Sequence, residues 1–112
     1  MRKLLVVLAV AVLSAVLATQ AFAKTRTVKV GDDYFLHRGD PPTITIKKGS
    51  KVKWRWVGSD SHNVSVSKGP KKFHSDLQRN GTFTKKFKKA GTYKIVCTIH
   101  QPDMAMTIKV KR

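Results

Sequence analysis

The stretch CTIHQPDM, Cys97 to Met104, sets a thiol, an imidazole and a thioether within one loop of each other. Cys97 is the chain's single cysteine and has no partner for an internal disulfide. A thiolate with an imidazole and a thioether is a soft donor set, suited to a metal ion. A fourth donor has to come from elsewhere, at an inward-facing position near a strand end, and His62 meets that description. Two imidazoles, one thiolate and a weak thioether form the trigonal set with a long axial bond that suits copper in electron transfer. Sulfur favours Cu(I) and the imidazoles tolerate Cu(II), so a rigid frame can hold one geometry that serves both. Each residue also has an ordinary alternative. Cys97 could be a small core residue, His62 a satisfied core histidine, His100 a loop residue, and Met104 plain packing. Met106 is close enough to compete for the axial place, but it continues the buried stripe with Ile108 and reads as core. His74 and His37 read as surface or loop residues.

These side chains need strands to position them, and the chain supplies the pattern. Alternation puts Val28 and Val30 on one face of TRTVKV, and Ile44 and Ile46 on one face of TITIKK. In KVKWRWV, Val52, Trp54 and Trp56 share one face, while Lys51, Lys53 and Arg55 share the other. HNVSVS gives His62 the parity of Val64 and Val66, which aims it toward the core. GTFTKKF offers Phe83 and Phe87, GTYKIVC offers Tyr93, Ile95 and Cys97, and MAMTIKV offers Met104, Met106, Ile108 and Val110. Gly31-Asp32-Asp33 and Gly49-Ser50 read as turns. LHRGDPP reads as a loop because Pro41 and Pro42 cannot sit inside a central strand. Lys68 to Asn80 is irregular, with room for a short turn of helix. About seven short strands without a convincing helix predict an all-β domain: a two-sheet antiparallel sandwich with Greek-key links.

The N-terminus reads as an export signal. Arg2 and Lys3 precede an apolar run from Leu4 to Ala18, and Ala21-Phe22-Ala23 is a small-x-small cleavage pattern. The run, about 15 residues, is short of the roughly 20 that span a bilayer. Residues 1–23 are therefore expected to be a cleaved signal peptide and 24–112 the mature domain, exported to the periplasm, the cell envelope or the medium. A free thiol survives in an oxidising compartment if it is buried or metal-bound. The net charge is +17, from 23 basic residues against 6 acids, all aspartate. Many lysines fall on outward positions or turns, where they discourage edge-to-edge aggregation. The excess still favours anionic partners: an acidic redox protein or an anionic envelope component.

YKIVCTIHQPDMAMTIKV, with HNVSVS and ITIKKGSKVKW upstream, resembles the cupredoxins, the plastocyanin/azurin family of small blue copper proteins, over approximately Val28 to Val110. It is similar to the short single-domain members of the amicyanin and pseudoazurin type. The resemblance implies that His62, Cys97, His100 and Met104 are the four copper ligands. It also implies that Asn63 ties the two ligand loops together and hydrogen-bonds near the cysteine sulfur. Short members often read His-Pro-x-Met, whereas this chain runs His100-Gln101-Pro102-Asp103-Met104, one residue longer and with a carboxylate. The expected function is a monomeric one-electron carrier, with electrons entering and leaving at His100 beside Pro102. The alternatives are a copper storage or delivery module and a cationic binder of anionic polymer. An enzyme is disfavoured: the chain lacks the His-x-His pairs of a multicopper oxidase, and copper ligation would consume the thiol. Specific nucleic-acid binding is disfavoured because the aromatics alternate inward, away from the lysines, and base stacking needs exposed rings.

Overall fold

A computed structural model describes residues 24–36 and 42–112. The expected signal segment, His37 and Pro41 lie outside the described residues. Eight strands form: β1 (Thr25–Gly31), β2 (Tyr34–Leu36), β3 (Thr43–Lys47), β4 (Lys51–Trp56), β5 (Ser65–Lys68), β6 (Thr82–Lys86), β7 (Gly91–Val96) and β8 (Ala105–Lys111). They make two four-stranded sheets, ordered β2-β1-β4-β6 and β3-β8-β7-β5. The all-β sandwich expected from the alternation is therefore present, and no helix occurs among the described residues, including 68–80. No helix among them is long and apolar enough to cross a membrane.

Two details differ from the sequence reading. β2, only three residues long, is an extra strand paired antiparallel to β1 across the Asp32-Asp33 turn. Three residues are too few for alternation to stand out. The sheets are also mixed rather than purely antiparallel, since β1 runs parallel to β4 and β3 parallel to β8. Alternation reports which face of a strand is buried. Pairing direction depends on where the chain crosses between sheets, here at the tight Lys47–Ser50 turn joining β3 to β4.

The predicted inward residues fill the core. Val28, Val30, Val52, Trp54, Val64, Ile95 and Ile108 are fully buried, with Ile44, Ile46, Phe87 and Tyr93 nearly so. Phe83 is only partly buried and packs against this cluster from β6, an outer strand. The Trp54 ring lies between Phe73, Phe83 and Phe87, with centroids 5.9 to 6.4 Å away. Its indole N–H points at the Met106 sulfur, 3.4 Å distant. That contact satisfies the one polar atom of a buried tryptophan and places Met106 in the core.

Candidate metal centre

The ends of the two sheets bring the site together. β7 delivers Cys97 one residue beyond its last paired position, fully buried. The loop that follows is closed by its own backbone. Cys97 N–H donates to the Met104 carbonyl, His100 N–H to the Cys97 carbonyl and Met104 N–H to the His100 carbonyl, each at 3.1 Å. This loop is thus a fixed frame despite its extra residue, and it leaves Met104 fully buried and Asp103 exposed.

His62 arrives from the segment that crosses from β4 to β5, the strand paired with β7. It lies in an isolated bridge with Gln78 rather than in a strand, three residues before β5 begins. Its carbonyl accepts the Trp56 indole N–H at 3.2 Å, which ties it to the end of β4. The parity argument placed it inward, and it is fully buried; Asn63 is buried too, in a stretch outside any strand where alternation does not hold. The Asn63 side chain bridges the two loops. Its amide oxygen accepts from Thr98 N–H at 2.8 Å, and its amide nitrogen donates to Thr98 Oγ1 at 3.0 Å. Its bonds therefore go to the residue after Cys97.

Three donor atoms converge. His62 Nδ1 and His100 Nδ1 are 3.2 Å apart, and Cys97 Sγ lies 4.0 Å from the first and 3.5 Å from the second. All three fall within 4.8 Å of one another. Met104 leaves the same loop, with its backbone bonded to both Cys97 and His100. His74 stands apart, bonded through Nδ1 to the Ser75 carbonyl. His100 is the donor nearest solvent, with a side chain 30% exposed.

Two residues of the site escaped the sequence reading, which took them only as a turn. Asp32 Oδ1 lies 3.1 Å from His62 Nε2, and Asp33 Oδ1 lies 3.1 Å from His100 Nε2. The backbone N–H bond from Asp60, then the His62 side-chain bond and the backbone N–H of Ser59, hold the Asp32 carboxyl down at about 2, against 3.8 ordinarily. The only available signal was compositional: two adjacent acids in a chain with so few. The arrangement explains why a metal fits. If both Nε2–H groups donate to carboxylates, both Nδ1 lone pairs face the buried sulfur, and a cation resolves their repulsion. A soft monovalent or borderline divalent ion suits these donors.

The sequence and fold have known counterparts. A family model described as copper binding proteins, plastocyanin/azurin family, matches residues 25–111. Amicyanin-alpha of Methylorubrum extorquens is 38% identical over 63 residues, covering 53% of this chain and 53% of that protein. The chain thus spans about half the length of this curated relative. A Cu(I) form of an amicyanin variant superposes with a TM-score of 0.66 at 22% identity, over 78% of this chain and 82% of the other. The copper-containing nitrite reductase (NirK) from Thermus scotoductus SA-01 also gives 0.66, at 24% identity, over 79% of this chain but 22% of its own. The last two likenesses are likenesses of fold.

Proposed function

We propose, from the premise that this chain belongs to the plastocyanin/azurin family of copper-binding proteins, that it is an exported one-electron carrier, with His62, Cys97 and His100 as its copper ligands and Met104 as a weak axial donor. Copper is this family's cofactor, and the His62, Cys97, His100 cluster can hold one ion. The observation that carries the reading is the convergence of two imidazole nitrogens on a buried, unpaired thiol. When bound, copper supplies a one-electron couple. The chain supplies the rest. Cys97 offers a sulfur shielded from oxidants by burial. Loop hydrogen bonds and the Asn63–Thr98 bridge hold the donors in place, so little has to move when the charge changes.

His100 gives the site its route to the surface, with Ile99 exposed on one side and Pro102 beyond. A partner docking there would meet an apolar patch around the imidazole. The mature chain is 24–112, released from a signal peptide at 1–23, and it works as a monomer in the periplasm, envelope or medium. Its partner is an acidic redox protein or an anionic envelope component. It is a carrier rather than an enzyme: the donor set serves one ion, and the sequence offers no His-x-His pair for a second cluster.

The rival within the same site is copper storage or delivery. Timing copper loss to a competing chelator in both redox states separates the two. A carrier retains copper for hours in each state, whereas release within seconds from either state would make this a delivery module.

A further inference from the structure

The chain has six acids, and two of them stand side by side between β1 and β2, each on a different histidine. We propose that the Asp32–Asp33 turn is a double carboxylate clamp, which holds both imidazoles with Nδ1 toward the metal and biases the centre toward Cu(II). This rests on the copper reading above, but it assigns to two positioning residues a role outside the four-ligand set.

Asp32 is a preset prong. Its oxygens accept from Ser59 N–H at 3.0 and 3.1 Å and from Asp60 N–H at 3.0 Å, independently of His62. Gly58 permits this approach, since a Cβ there would overlap the Asp32 carboxylate. The third partner is His62 Nε2, on a ring with no exposed surface. A ring that donates from Nε2 keeps its Nδ1 lone pair for a metal, and such a carboxylate also raises the donor strength of the imidazole. Asp33 is the looser prong. It has a left-handed backbone (φ 70°), which aspartate tolerates, and a side chain 69% exposed. It reaches Nε2 of His100, the ligand nearest solvent. One hairpin turn thus orients donors that lie 38 residues apart in sequence. Two negative charges just beyond the rings stabilise the higher charge state of an ion between them more than the lower.

The test has two arms. In the metal-free protein, nitrogen-15 spectra of the imidazoles read which ring nitrogen carries hydrogen. Both rings are expected to be protonated at Nε2, and Asp33→Ala is expected to release His100 from this state while leaving His62 unchanged. Rings with bare Nε2 atoms in the wild type would overturn the clamp. This arm decides the matter even for a protein that takes up no copper, an outcome that would defeat the carrier reading alone. In the copper-loaded protein, Asp33→Asn keeps a hydrogen-bond acceptor and removes the charge. Outer partners of metal ligands commonly change affinity 10- to 100-fold. The expected effect is a loss of about tenfold in Cu(II) over Cu(I) preference, raising the potential by about 59 mV, with Asp33→Glu restoring it. Asp32→Asn, which keeps an acceptor for Ser59 and Asp60, is expected to act in the same direction. An unchanged potential in both Asn variants would overturn the electrostatic half of the proposal.

Discussion

At the scale of single residues, the axial donor and Asp32 make separate demands. Met106 takes the Trp54 indole N–H and Met104 is buried in the loop between His100 and β8, so Met104 is the proposed weak axial donor. Met104→Gln is expected to retain copper and lower the reduction potential, because an amide oxygen favours Cu(II) where a thioether favours Cu(I). Voltammetry checks this, and an unchanged potential would remove Met104 from the coordination set. Asp32 links the site to acid stability. Its folded value is about 2 against 3.8 ordinarily, so between these values the unfolded chain binds more protons than the folded one. The contribution is present above the unfolded value and is lost as pH falls from about 4 toward 2. Denaturant unfolding of the metal-free protein across that window should show a steeper decline for the wild type than for Asp32→Asn. Parallel curves would deny the Asp32 bonds any part in it.

At the scale of elements, the segment leading into β5 and the loop leaving β7 must stay in register, and Asn63 joins them. Asn63→Ala removes both side-chain bonds from the buried Asn63 to the exposed Thr98. The expected cost is about 1 kcal/mol, the usual net contribution of a hydrogen bond whose remaining partner can turn to water. Urea unfolding measures it, and a midpoint equal to the wild type would mean that backbone bonds alone hold the loops. This is also the scale at which the sequence stops being informative. The approach of Cys97 and His100 was legible because their spacing is local. His62 was legible because it shares the parity of Val64 and Val66. Asp32 and Asp33 were not, because a turn-forming aspartate and a histidine partner have the same local signature. Only the approach of the β1–β2 turn to the two ligand loops separates them. The parallel pairing of β1 with β4 was hidden for a similar reason: alternation carries no direction.

At the scale of the molecule, most of the described acids and one group of lysines lie at opposite ends of the strands, although Lys29, Arg55 and Arg79 come close to the donor end. The strand registers put Lys24, Lys48, Lys51, Lys86 and Lys111 at the end away from the donors, where Lys24, Arg26, Lys47 and Lys111 line a cleft of about 330 Å³. Asp32, Asp33, Asp60 and Asp103 lie at the donor end. Of the two partners proposed above, this distribution favours an anionic envelope component, which would meet the far end and leave His100 exposed. Retention on a sulfated polysaccharide column should fall steeply with salt, as the Debye length shrinks to about 8 Å at physiological strength. Changing Lys48, Lys51 and Lys111 to Gln should lower the eluting salt more than the same change at Lys68, Lys71 and Lys72; equal shifts would contradict a polar anchor. The central claim, that His62, Cys97 and His100 close on one redox-active copper ion, is tested most directly by visible absorption of the purified protein during Cu(II) titration. An intense blue or green thiolate-to-copper band should saturate at one equivalent and vanish in Cys97→Ser. A colourless wild-type protein with bound copper, or a band that survives in Cys97→Ser, would contradict it.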